Sequence, residues 1–472
     1  MNLKMLWLGF LYACLLLAPP LPAHAATLTV TNGNDSGAGS LRATIAAASA
    51  GDTITFAANV TAITLTTGEI AINKNLTLRG PGVNQLAISG NDASRIFNIG
   101  NVNVAISGMT LTRGHATDSP GGAILAIGDL TLTNVAITRC TTTDSGGGIH
   151  FAGNALTMTN VTLSENFANE GGGLYMLGTR ATWTNGLVQK NSATYSGGGI
   201  SNTWTMTLVN VTFDQNEVIH PREAIGGGAI INLGALTMLN NAITRNLSTT
   251  DGGGIFNYGD STMTLTNVSM FENKASSGSG GGIFNAPYVP QNQPRRGVSA
   301  RPRAPRQLPG DATLINLTIH HNDALSGGGI HNQGTLVAIN TIISDSSDAN
   351  CAGLAFGAGS TNNAATDASC GTSALQTSRA ALKLGALTCT PAYFPLLAGS
   401  VAIDAGTNTR CPATDIRGMT RPRGLRCDIG AYEYDPPAPA EVPEADTLLL
   451  LGGGLGGLAT WLRYQWSRRK IR

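Results

Sequence analysis

The chain has 472 residues, 60 of them glycine, and only 12% are charged, with 29 Lys and Arg nearly cancelling 28 Asp and Glu. The glycines are clustered and do not recur at every third position, which excludes a collagen. A hydrophobic share of 42% excludes wholesale disorder, and the balanced charge gives nucleic-acid binding no electrostatic support.

In chain order, residues 1–25 read as a secretory signal. Lys4 supplies the positive start, residues 5–17 the apolar run, and Ala23-His24-Ala25 the small-x-small site, so cleavage is expected between Ala25 and Ala26. Residues 40–49 read as one short helix. Ser40 is its N-cap and Leu41, Ile45 and Ala48 share a face, placed to cover the open end of a repetitive core.

A repeat fills residues 26–350. A glycine cluster followed by a small or apolar residue recurs at Ile124, Ile149, Leu174, Ile200, Ala229, Ile255, Ile283 and Ile330. The period is about 25 residues, with an insertion loop at 286–311 in the longest interval. In phase with it runs a pair of asparagines six positions apart, such as Asn160 and Asn166. The second of each pair gives a column of Asn166, Asn191, Asn216, Asn246, Asn273 and Asn322, in which Cys140 takes the first place as a small buried thiol. A third asparagine follows most glycine clusters, at Asn202, Asn232, Asn257, Asn285 and Asn332.

Between these marks apolar residues alternate with threonine, as in Leu130-Thr131-Leu132-Thr133. Period two with β-branched residues means strand. The expected fold is all-β, a right-handed parallel β-helix solenoid of about 25 residues per coil. Coils about 4.8 Å apart turn like residues into columns. Apolar columns face inward, asparagine amides bond from coil to coil, and asparagines at the corners accept left-handed backbone.

The insertion carries Arg295, Arg296, Arg301, Arg303 and Arg306 among prolines and reads as a loop hanging off the solenoid. Residues 351–435 hold five cysteines, two of which are Cys389 and Cys411, and read as a C-terminal cap. Residues 436–446 are a proline-rich linker, and 447–472 form a short apolar segment with a basic end.

Four resemblances add to this reading. Asn34-Asp35-Ser36-Gly37-Ala38-Gly39-Ser40-Leu41-Arg42 resembles the CSLREA-type start of secreted β-helix proteins, and the Gly-Gly-Gly-Ile and Phe213-Asp214-Gln215-Asn216 elements resemble polymorphic outer membrane protein repeats. Residues 398–434, with Asp415-Ile416-Arg417-Gly418 and Cys427-Asp428-Ile429-Gly430, resemble the choice-of-anchor Q region. Val442-Pro443-Glu444-Ala445, the apolar segment and the terminal arginines resemble a PEP-CTERM sorting signal. That last likeness implies an exosortase-like transpeptidase as partner, recognition at Pro443 and Glu444, a membrane stage through the C-terminal segment, and delivery to the cell surface. The cap likeness and sequence proximity pair Cys351 with Cys370 and Cys411 with Cys427, leaving Cys140 and Cys389 free.

For chemistry the sequence offers little. Asp118, Asp144, Glu170 and Asp251 stand just before glycine clusters and read as solvated corners, with Asp144 and Glu170 the candidate carboxylates for acid–base work. His150 and His331 each follow a Gly-Gly-Gly-Ile unit and read as surface residues. No catalytic residues, cofactor or metal site are expected. The expected function is that of a non-catalytic exported cell-surface protein, adhesive or structural, contacting extracellular or envelope glycan. A polysaccharide lyase or glycoside hydrolase is the alternative.

Overall fold

The computed structural model describes residues 25–220, 224–287, 310–389 and 391–436. The signal run before Ala25, the arginines of the insertion, and the tail with Pro443 and Glu444 lie outside the described residues.

The chain is a right-handed parallel β-solenoid of about 12 turns, ~26 residues per turn, slightly longer than the sequence spacing implies. One coil shows the path. Leu130–Thr138 lies in the long first sheet, Thr141–Thr142 in a narrow third sheet, and Ile149–Phe151 in the second sheet, before Ala155–Ser164 resumes the first. The described strands form sheets of 18, 11 and 8 members and one two-stranded pair.

The long strand is not simply alternating. Leu130 and Leu132 face inward, and then so do Val135 and Ile137, because Asn134 takes a left-handed turn at φ 52° and resets the phase. Without that residue Val135 and Ile137 would point to solvent. Inside, Leu132, Met158, Trp183, Leu208, Met238, Leu265 and Leu314 stand directly above one another, none more than 1% exposed. Burial of such a side chain stabilises by about 1.5–3 kcal/mol. The bulk of Trp183 is absorbed in its own coil by Gly186, which stands in a column of valines. A Cβ there would lie 2.3 Å from the indole Nε1.

The N-terminal helix spans Leu41–Ala47. The Ser40 side chain accepts from Ala43 N, and Leu41, Thr44 and Ile45 are buried. Leu41 and Ile45 join the same apolar core as the coils.

Coiling continues past residue 350. Cys351–Gly353 pairs with Ile330–Asn332, Asn363–Ala365 with Ile342–Ser344, and Ala374–Gln376 with Asn363–Ala365. The segment from Ser378 to Tyr434 then lies along the flank of earlier coils instead of plugging the end. Asn267 Nδ2 donates to Thr414 O (2.6 Å), Asn316 Nδ2 to Asp428 O (2.9 Å) and Asn340 Nδ2 to Thr407 O (3.0 Å). Corner amides thus serve as its docking rail.

Acidic residues of this flank segment hold its own backbone. Asp415, fully buried, accepts from the N–H groups of Arg417, Met419 and Glu433. Glu433 accepts from those of Arg423 and Asp428. Disulfides join Cys351 to Cys370 and Cys411 to Cys427 across 19 and 16 residues. Loops of this length imply about 3 kcal/mol each. Cys411→Ser is expected to lower the unfolding free energy of the flank segment by about that amount, read from the urea midpoint or from faster proteolysis between 378 and 434.

Candidate functional site

Each coil turns from the third sheet to the second over a glycine. Gly121, Gly146, Gly171, Gly197, Gly227, Gly252, Gly280 and Gly327 stack with φ between 60° and 77°. A Cβ on Gly146 would stand 2.2 Å from Ile149 O, so these positions are closed to other residues. The residue before each glycine forms a column that includes Ser145, Glu170, Ser196, Gly226 and, further on, Asp251 and Ser326. Five positions later comes the outward-facing centre of the second-sheet strand: His150, Tyr175, Phe256, Phe284 or His331.

The two columns meet. Ser145 Oγ lies 2.9 Å from His150 Nδ1, and Ser326 Oγ 3.2 Å from His331 Nδ1. The His150 ring stacks on Tyr175 at 5.1 Å, and His331 on Phe284 at 5.3 Å. His150 is therefore buried (8% exposed) and His331 half-buried, which corrects their reading as surface residues. Burial pushes the His150 imidazole down to about 4, against the opposing pull of Asp144, so it is neutral at pH 7.

The acidic residues do not make one ladder. Glu170 and Asp251 share a column with Ser196 and Gly226 between them. Asp144 sits one position earlier and exposed, and Asp118 is exposed on the neighbouring coil, accepting from Thr143 Oγ1. The structure does bring Asp144 and Glu170 together. Ser145 Oγ donates to Asp144 Oδ1 (2.9 Å), and Glu170 is buried at 9% exposure, which corrects its reading as a solvated corner. Burial, and then the charge of Asp144, push the Glu170 carboxyl up to about 7. Among the described residues no cation pairs with it.

Sequence reasoning passed over Arg95, the buried cation behind this corner. Its Nε donates to Gly121 O (2.9 Å), its Nη2 to Ser119 Oγ and Pro120 O, and its Nη1 pairs with Glu69. These bonds hold its guanidinium in place behind the corner. The corner contains one carboxyl titrating near neutrality beside an exposed one, a pattern suited to proton transfer. Its Ser–x₄–His element, twice repeated as Ser-Gly-Gly-Gly-Ile-His, was the available sequence signal.

The asparagine columns carry structure. Asn166, Asn191, Asn216, Asn246, Asn273 and Asn322 are buried in one line, each Nδ2 donating to the next Oδ1 at 2.9 Å. A second line runs through Asn202, Asn232, Asn257, Asn285 and Asn332 at 2.7–2.8 Å. Neither is left-handed. That geometry belongs to the Asn134–Asn340 column and to the residue just before each buried amide, such as Glu165, Lys190, Glu272 and His321. Cys140 heads the first line, its N–H donating to Asn166 Oδ1, and burial pushes its thiol up to about 12. Cys389 is free and exposed.

The outer face of the first sheet carries a row of threonines, with charged side chains such as Arg180 and Asp311 at the strand starts. Thr131, Thr157, Thr182, Thr207, Thr237, Thr264 and Thr313 align in register, five of them exposed and two half-exposed. At the edge of this face Trp204 is 43% exposed. On the following coil Gly234 lies against its backbone, and on the preceding one exposed Thr179 stands opposite it.

No protein-family model matches the chain, and no curated protein matches its sequence. Among solved structures it is similar to the pectate lyase Pel9A, at 14% identity over 87% of this chain and 96% of that one, with a TM-score of 0.45. It is also similar to the PL6-family alginate lyase AlyGC, at 14% identity over 78% of this chain with a TM-score of 0.40, and to a mutant of that enzyme at 13% and 0.42. The chain spans about half, 55%, of the alginate lyase's length. Likeness of this degree says nothing about chemistry.

Proposed function

We propose that the protein is an exported cell-surface β-helix that contacts extracellular polysaccharide through the first-sheet face without cleaving it. The observation that carries this reading is the seven-threonine register ending at Thr313, with Trp204 at its edge. Hydroxyls about 4.8 Å apart donate to and accept from sugar hydroxyls, and exposed Arg180 adds a charged donor beside Trp204. An exposed indole offers an apolar platform for a sugar ring. The two disulfides fit an oxidising compartment, and the PEP-CTERM-like tail fits surface delivery by an exosortase-like system.

Purified mature protein is expected to bind at least one polymer in a panel of neutral and acidic polysaccharides by affinity electrophoresis. Trp204→Ala is expected to weaken that binding about tenfold, the 1.4 kcal/mol of one lost stacking contact. Retention by no polymer, or retention unchanged by Trp204→Ala, overturns the proposed face.

One observation favours cleavage as a second reading, namely the raised Glu170 carboxyl beside Asp144. Release of reducing ends or unsaturated uronate from the same panel, abolished by Glu170→Gln and by Asp144→Asn, would replace the non-catalytic reading with that one.

A further inference from the structure

The second left-handed column gathers donors of another kind on its last coils. Glu272, His321 and Asp345 occupy it in succession, with φ of 52°, 53° and 52°. Glu272 N donates to His321 O and His321 N to Ser344 O, so these residues sit one coil apart on one edge. Beside them His320 is buried, with its ring stacked on His321 at 4.3 Å and edge-on to Phe394 at 4.7 Å.

We propose that His320, His321 and Asp345 bind a divalent first-row transition ion, Zn²⁺ by the character of the donors, in the seam between the coils and residues 384–387 with Phe394. Each offers one ligand atom, and the three atoms lie within 4.8 Å of one another. Tetrahedral zinc with bonds of about 2.0–2.1 Å sets its ligand atoms about 3.4 Å apart. Closing the set asks for about 1 Å of side-chain movement, which exposed His321 can supply.

Three independent features favour a cation here. Asp345 Oδ2 is buried and makes no hydrogen bond, its neighbours being His320 Nδ1 at 3.7 Å and Arg379 Nε at 3.4 Å. His320 is held by Ser344 Oγ at 2.9 Å from Nδ1, the kind of outer contact that orients a ligand ring. His320 and His321 border a cavity of about 250 Å³ lined also by Phe271, Glu272, Arg379 and Phe394, which leaves room for water or Glu272 at a fourth position. The opposing charge is Arg379, whose Nε stands 3.4 Å from Asp345 Oδ2. Its side chain is 69% exposed and free to swing into solvent.

The test uses the untagged full chain, stripped with chelator and titrated with Zn²⁺ and with Co²⁺. One ion per chain is expected, and Co²⁺ should develop the visible d–d bands of a four-coordinate nitrogen–oxygen site. His321→Asn and Asp345→Asn, which keep side chains tolerant of the left-handed backbone, should each weaken binding at least tenfold. Arg379→Gln should tighten it, and His115→Asn, on a distant coil, should leave it unchanged. Apo melting temperatures equal to wild type establish that the two weakening variants fold. Absence of saturable binding, or equal affinity in wild type and both weakening variants, overturns the site.

Discussion

Asn216→Ala is expected to lower the unfolding free energy by about 4 kcal/mol, since four buried bonds end on that one amide at roughly 1 kcal/mol each. Its Nδ2 donates to Val188 O (2.8 Å) and Asn246 Oδ1 (2.9 Å), and its Oδ1 accepts from Asn191 N (3.1 Å) and Asn191 Nδ2 (2.9 Å). Alanine leaves those partners buried in a fully enclosed position with nothing to replace the amide. Asn160→Gly is the control, since Asn160 is left-handed at φ 53° and glycine adopts that backbone without strain. That amide is exposed and makes one side-chain bond, to Asn134, so its loss is expected to stay below about 1 kcal/mol. Urea midpoints read both values. A loss under about 1 kcal/mol for Asn216→Ala would show that the amide line is ornamental to stability.

The second large effect depends on pH. Glu170 titrates near 7 in the folded chain against an ordinary value of 4.5. Between those values the unfolded chain releases a proton that the folded chain retains, so the stability present below about pH 4.5 is lost as pH rises through about 7. At about 1.4 kcal/mol per unit this amounts to roughly 3 kcal/mol. Glu170→Gln mimics the protonated side chain. It is expected to match wild type at about pH 4 and to exceed it by about 2–3 kcal/mol at about pH 8, measured by chemical denaturation at both pH values. His150 acts on the other side. With its imidazole pushed down to about 4, it contributes stability above about 6.5 that disappears as pH falls toward 4. The Glu170→Gln difference isolates one slope from the other. Equal variant and wild-type stability at the higher pH would mean the carboxylate is solvated there.

The fold was legible because its grammar is columnar. Glycine clusters, paired asparagines and threonine alternation recur with one period, and a parallel solenoid is the arrangement that turns a period into vertical contacts. The phase slip at Asn134 was not legible. A left-handed residue inside a strand leaves no mark in apolar–polar alternation until the inward-pointing side chains are known. The two histidines were misplaced for a related reason. Their burial comes from rings on adjacent coils, Tyr175 and Phe284, and from serines five residues upstream, none of which flags His150 or His331 when each is read alone. The nearness of Asp144 and Glu170 was half-visible in their common position before glycine. That Glu170 is enclosed while Asp144 is not depends on a one-residue offset, too fine for spacing to resolve. The His320–Asp345 pairing required the coil register itself.

The buried amide chains have a sense of direction. From Asn166 to Asn273 each Nδ2 donates to the Oδ1 of the coil that succeeds it in sequence, while Asn322 turns its Nδ2 to Met270 O and His320 O. Each newly laid lap therefore arrives carrying the oxygen that accepts from the amide and the backbone N–H of the asparagine before it. Assembly from the amino end is templated step by step, whereas a fragment begun midway would offer an idle acceptor with nothing beneath it.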